Sequence, residues 1–172
     1  MMTGRQIAEQ LDIDKTAIPA LQKFGLLDEP QRIGRALAYS NAAELVQREF
    51  INDRPHPRIL AVKVVPREDT PADPYREYRG WDPTKTADDP EQIKAVAGYW
   101  KVKDPQTLIG DLFIPIGKTF TLAVYRIVGY RQHGNDLIFE LEIPDRDTIE
   151  KWSHTRVRSQ PGSLIERLPV SD

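Results

Sequence analysis

Few residues in this chain are spaced to make or break a covalent bond. Glu140 and Glu142 stand two apart in the run Leu137-Ile-Phe-Glu-Leu-Glu-Ile143, so on a strand they share one face and could hold a divalent ion together. No lysine follows either glutamate at the spacing of the commonest restriction-nuclease site, and the pair reads equally as the solvent side of a half-buried strand. The three histidines, His56, His133 and His154, offer no i, i+4 pair to clasp a metal. Gly110, followed at a distance by Gly117-Lys118-Thr119, imitates a phosphate loop. Position 112, where that loop needs glycine, is Leu, and a β-rich run follows where a helix should receive the phosphate. No Gly-x-Ser-x-Gly elbow occurs, and the absence of cysteine removes thiol catalysis, disulfides and thiolate metal sites.

Recognition chemistry is better supplied. An extruded base needs flat apolar walls and a few polar groups aimed at its edge. Tyr75, Trp81, Tyr99 and Trp100 lie on or beside irregular segments, with Arg79 and Lys101 adjacent. Each stacked base contributes roughly 1–3 kcal/mol, so one or two such platforms matter. The competing reading makes these aromatics core. On the recognition reading Trp81 lies nearer the site, Trp100 sits in the core, and Arg79, Arg126 or Arg156 lies near the rim. Two stretches free of acid, Leu112–Asn135 with Lys118, Arg126 and Arg131, and Lys151–Gln160 with Lys151, Arg156 and Arg158, could form a face that tracks phosphates or simply a solvated surface.

The elements that must position these groups change character along the chain. Ile7, Ala8 and Leu11 form a helical stripe; after a polar break at Asp12–Asp14, Ile18, Leu21 and Phe24 recur every three residues and stop at Gly25. Pro19 favours a second helix beginning there rather than at Lys15. Glu29–Tyr39 reads as an arginine hairpin, and Ser40 reads as the cap of a third helix. Asn52–Pro57 is a hinge, after which the period becomes that of strands. Arg58–Val65 is a strand buried on both faces, residues 66–92 a proline-rich and partly mobile loop, and Ile93–Gly98 a short helix. Phe113–Ile116, Phe120–Tyr130 and Leu137–Ile143 are strands, the last two joined at Gly134-Asn135-Asp136.

The first part resembles the MerR-type winged helix and its excisionase-like relatives. The resemblance is carried over Ile7–Ile51 by Ile7-Ala8-Glu9, Ile18, Leu21, Phe24-Gly25-Leu26-Leu27, Arg32-x-x-Arg35-x-x-x-Tyr39-Ser40 and Glu44-Leu45. It implies that the second helix reads DNA and the wing arginines grip phosphate, roles that fall on Lys15, Thr16, Gln22, Lys23, Arg32 and Arg35. The family's long dimerisation helix is missing. The second part, Arg58–Val170, resembles PUA-like domains of the ASCH and EVE kind. Its carriers are the Ile-Leu-Ala-Val-Lys strand, Tyr75…Arg79-Gly80-Trp81, Gly98-Tyr-Trp-Lys101, Leu122–Ile127, Phe139–Glu142 and Trp152…Arg156-Val157…Pro161-Gly162…Ile165. That resemblance implies RNA binding or the reading of one base, with Tyr75, Arg79, Trp81, Lys118, Arg126, Arg156 and Arg158 as the pocket or nucleic-acid face.

The expected fold class is therefore α+β: a winged-helix domain over 1–54 and a mostly β, PUA-like barrel over 58–172. Composition fits a soluble, cytoplasmic protein with no membrane span, 40% hydrophobic and 29% charged. With a net charge of −2, basic and acidic residues must be separated by face, because neither part is basic overall. The function class that follows is a nucleic-acid reader, most naturally of double-stranded DNA, acting as a regulator or targeting factor of a phage, mobile-element or defence system. It would need no cofactor and act as a monomer or weak dimer. A nuclease using the carboxylates near Glu140 and His154, or a protein-binding adaptor such as an antitoxin, remains open.

Overall fold

The computed structural model describes residues 1–52 and 54–168, and over these the chain is a mixed α+β protein. Asp53 in the expected hinge and residues 169–172 at the end of the expected second domain, with Val170 among them, lie outside the described residues. The chain divides into two compact units, the first ending at Glu49 and the second starting at Phe50, ahead of Asn52–Pro57. Phe50 and Ile51 fall in the second unit for a concrete reason. The Ile51 N–H donates to the Arg156 carbonyl at 2.7 Å, and the Phe50 ring lies under two arginines.

In the first unit, α1 (Gly4–Leu11) starts at a capping box. The Thr3 hydroxyl accepts from the Gln6 N–H, and Gln6 Oε1 accepts from the Thr3 N–H at 2.8 Å. Its apolar stripe buries Ile7, Ala8 and Leu11 as the spacing requires. Asp14 caps a 3₁₀ turn over Lys15–Ala17 that runs into α2 (Ile18–Lys23), with Pro19 tolerated in the first turn. Gly25, at φ +75°, closes α2 in a Schellman motif: its N–H donates to the Gln22 carbonyl and the Leu26 N–H to that of Leu21. A hairpin of Gln31–Ile33 and Ala36–Tyr39 follows, and Met2–Thr3 adds a third antiparallel strand beside Tyr39 and Ala38. The helix α3 (Ala42–Val46) corrects one expectation. Ser40 does not cap it; its hydroxyl donates to Asp28, while Asn41 accepts from the Asp28 N–H and donates to the Leu26 carbonyl. These side chains tie the hairpin's return to the end of α2.

The second unit is built on a largely antiparallel sheet. Leu112–Gly117 is buried along its whole length and is flanked on both edges. One edge pairs in parallel with Ile59–Lys63, which pairs in turn with Ile165–Leu168; the other pairs with Phe120–Thr121 and Tyr125–His133. The expected single strand over Phe120–Tyr130 is interrupted at Leu122–Val124. Pro115 opposite has no N–H to give to the ladder, and its carbonyl accepts from Leu122 instead. Tyr125–His133 forms a hairpin with Asp136–Glu142, and Gly98–Trp100 lies on that hairpin's far edge. The core gathers Ile59, Leu112, Ile114, Val124, Trp152 and Val157, among others. Trp152 comes from α5 (Arg146–Ser153), capped by Asp145, a helix not anticipated from the sequence. No helix among the described residues is long and apolar enough to cross a membrane.

Residues 66–92, expected as a partly mobile loop, are instead knitted by polar contacts. Glu68–Asp69 pairs with Tyr78–Arg79, and the Arg67 guanidinium binds Asp82 at 2.7 Å and Asp69 at 3.0 Å while lying 4.3 Å over the buried Tyr78 ring. Gln92, fully buried, accepts from the Asp82 N–H and donates to the Gly80 carbonyl. It sits on α4 (Pro90–Ala97), capped by Asp89, which starts ahead of the expected Ile93 because Asp89-Pro90 is a strong start signal.

Candidate nucleic-acid interface

A concavity of the second unit opens where the end of the Ile59–Lys63 strand, the Tyr78–Trp81 segment and the Gly98–Trp100 strand converge. Two close approaches shape it. Gly80 has φ +84°, and a Cβ there would stand 2.1 Å from the Val65 carbonyl oxygen; the Trp81 N–H donates to that same oxygen at 2.9 Å. Gly98 lies against Ile138, with room for a Cβ only 2.9 Å from Ile138 Cγ1. The resulting cleft has a volume of about 320 Å³ and is lined by Lys63, Arg76, Arg79, Tyr99, Trp100 and Leu164, with no carboxylate on its walls. A second groove of about 540 Å³ shares Tyr99, Trp100 and Leu164 and adds Lys101 and Asp136, so both aromatics border both cavities. Together these are the size of small-ligand sites.

The aromatic wall is held from behind. Trp100 is half-buried, and its indole N–H donates to the Val96 carbonyl at 2.9 Å, which fixes the ring. Tyr99 stacks on His133 with centroids 4.7 Å apart and 16° between planes, and its hydroxyl donates to Asp73 at 2.8 Å. Arg76, nearly buried, donates to Asp73 at 3.0 Å and to the carbonyls of Ala95 and Gly98, with its guanidinium 4.6 Å over the Tyr99 ring. Burial alone would raise the Asp73 carboxyl. Donors from the Tyr75 N–H, the Tyr99 hydroxyl and Arg76 outweigh it and hold the group below its ordinary range. Burial, then Asp73, pushes the Tyr99 hydroxyl up, so it stays a neutral donor. Tyr75 joins this cluster from the neighbouring surface, 6.3 Å from Tyr99 and under Arg131.

Of the residues expected at a base pocket, this cleft gathers Arg79, Tyr99 and Trp100. Arg79 reaches it while ion-paired with Glu68. The order of the two tryptophans is the reverse of that expected. Trp81 is only 7% exposed and its backbone is pinned to Val65 and Arg67, so it is a core residue, whereas Trp100 walls the cleft. Lys118 is exposed at a turn, and Arg126 lies on the hairpin 3.8 Å from Asp145 with its Nε sealed and unpaired. Arg156, expected at a surface, is buried; Arg158 is exposed and stacks on Phe50. Lys63, Arg76 and Leu164 were not anticipated. Lys63 carried a usable signal, being the one cation in an otherwise apolar strand.

In the first unit, Lys15, Thr16, Lys23, Arg32 and Arg35 are all exposed. Thr16, in the 3₁₀ turn, and Lys23, at the end of α2, face solvent, whereas Ile18 and Leu21 of α2 are buried. Gln22 is half-buried and its amide donates to Glu29 at 2.9 Å. Arg32 and Arg35 have no carboxylate partner among the described residues, and Arg35 sits in the hairpin turn beside Gly34. Among the described residues no group of three or more His, Asp or Glu side chains could hold a metal ion. Set against known protein families, curated proteins and solved structures, the chain matches none.

Proposed function

We propose that this chain is a nucleic-acid reader with two unlike parts: a MerR-like winged helix that grips duplex DNA, and a PUA-like domain that stacks an unpaired base on Trp100. The observation that carries the reading is the cleft itself, which sets a fixed indole wall beside Lys63, Arg76 and Arg79 with no carboxylate among its lining residues. An aromatic platform flanked by cations suits a base and its phosphate. Arg32 and Arg35 on the hairpin, without a carboxylate partner among the described residues, support the first part, since such guanidinium groups can contact phosphate. A role as a regulator or targeting factor follows from reading one asymmetric site with two different modules.

The test is a binding selection of the full chain on random duplex DNA and on random single-stranded RNA, run with and without Mg²⁺, and repeated with Trp100→Ala. Enrichment of a DNA motif, with about a tenfold or greater loss for Trp100→Ala on substrates carrying an unpaired base, supports both parts. Mg²⁺-dependent cleavage of the pool would favour a nuclease, and no enrichment from either pool would refute the reading.

A further inference from the structure

We infer that Arg156 and Arg158, stacked on Phe50, form a phosphate clamp made of none of the residues that line the Tyr99–Trp100 cleft. Phe120 pairs with Arg156 in register, and this brings Thr119 alongside. The Arg156 Nε donates to the Thr119 hydroxyl at 3.0 Å, and its guanidinium lies 4.2 Å from the Phe50 centroid and 4.7 Å from that of Phe120. Arg158 lies 4.3 Å from the same Phe50 centroid. Two like charges thus share one ring, and neither has a carboxylate within ion-pairing distance among the described residues.

A structural arginine as buried as Arg156, 7% exposed, normally carries a carboxylate or several carbonyls. Here the terminal nitrogens meet no acceptor among the described residues, and they are not among the buried, unpartnered side-chain atoms there, which are those of Tyr78, Arg126 and Trp152, so they keep contact with solvent. Burial, then the neighbouring Arg158, lowers the Arg156 pKa, the expected result where counter-charge is lacking. The two rings fix the guanidinium plane, so its outer N–H groups are presented as a fork suited to two phosphate oxygens. Exposed Lys118, next in sequence to Thr119, likewise has no carboxylate partner among the described residues. The missing negative charge is supplied by a phosphate oxyanion of a nucleic-acid backbone. This inference deepens the function proposed above and rests on it.

The experiment uses the full chain and a labelled mixed-sequence 20-mer as duplex DNA, single-stranded DNA and single-stranded RNA. Anisotropy titrations from low to moderate salt compare the wild type with Arg158→Gln, an exposed position, and with Arg156→Lys, which keeps the charge but loses the fork. Each variant should bind at least one form about three- to tenfold more weakly, and Arg158→Gln should reduce the salt slope by about one. A parallel arm follows melting in sodium phosphate against sodium chloride at equal ionic strength. Stabilisation by free phosphate that Arg158→Gln abolishes, with oligonucleotide binding unchanged, keeps the clamp but assigns it to a small phosphorylated ligand. If the wild type binds oligonucleotides and both variants match it at every salt and in phosphate, the clamp is refuted while the nucleic-acid reading stands. If the wild type binds no form of the oligonucleotide, both fall.

Discussion

Replacing Gly80 by alanine tests how the cleft is held open. Two costs add at this residue. Its φ of +84° is a conformation that costs an L side chain about 1–2 kcal/mol. A Cβ would also stand 2.1 Å from the Val65 oxygen and 3.1 Å from that of Pro66, both main-chain atoms that cannot swing aside. Relief requires the Tyr78–Trp81 segment to back away, stretching the Trp81 N–H to Val65 and Arg67 N–H to Trp81 hydrogen bonds, each contributing about 1 kcal/mol. The sum is about 3–4 kcal/mol. Gly98→Ala is the comparison: its φ of −151° is ordinary extended backbone, and the one close approach of its Cβ is to a side-chain atom, Ile138 Cγ1 at 2.9 Å, with the Ile138 Cα at an ordinary 3.6 Å. That overpacking should cost about 1–2 kcal/mol. Urea unfolding followed by tryptophan fluorescence reads the second unit selectively, since Trp81, Trp100 and Trp152 all follow Phe50. A Gly80→Ala protein within about 0.5 kcal/mol of wild type, a change typical of an uninvolved surface site, would refute the close approach; so would a larger loss for Gly98→Ala.

Other substitutions address separate parts of the molecule. Trp81→Ala should cost about 3–5 kcal/mol of stability in the same urea assay, with binding lost only in proportion to unfolding; a stable protein with weakened binding would return Trp81 to the site. The buried Asp82 carboxyl is held below its ordinary pKa, because its hydrogen bonds to Thr84 and Arg67 outweigh a burial that would raise it. Its contribution is therefore complete above the unfolded pKa of about 3.9 and is lost as pH falls through and below that value. Asp82→Asn should be less stable at neutral pH and lose less on acidification, and an unchanged acid slope in denaturation curves would contradict this. Arg32→Ala with Arg35→Ala should leave thermal stability within about 0.5 kcal/mol, since both are exposed and without an ion-pair partner among the described residues, and lower the salt slope of DNA binding by about two. An unchanged slope removes the hairpin from the interface.

Much of the first unit was legible because its signals are local. The stripe Ile7, Ala8, Leu11 and the triplet Ile18, Leu21, Phe24 are buried as their spacing dictated, and Gly25 ends its helix. Ser40 misled because a serine ahead of an apolar run looks like a cap whether or not its hydroxyl is engaged elsewhere, here by Asp28. Residues 66–92 misled for a different reason. Their order comes from charged partners brought together by the fold, such as Arg67 with Asp82 and Arg76 with Asp73, and a stretch rich in proline and acids carries no periodicity that reveals such pairs. The aromatic–cation character of the cleft was visible, but which tryptophan faces it was not. That choice depends on the Gly98–Trp100 strand pairing with Leu137 and Ile138, and on Tyr78–Trp81 folding back onto Val65, both contacts between distant segments.

The parallel pairing of Ile59–Lys63 with Leu112–Gly117 has a consequence for how the protein is made. This apolar strand leaves the ribosome long before the neighbour it pairs with, and its other neighbour, Ile165–Leu168, comes later still. Until Leu112–Gly117 has been synthesised, Ile-Leu-Ala-Val has no native partner on either edge, while the intervening segment with α4 must already be looped out. A nascent chain stalled in that interval presents a short, uncharged, β-prone edge, the kind of surface that recruits chaperones or self-associates. Lys63 at its end and Arg58 just before it place charge at both ends of that run, where it discourages wrong pairing during the wait.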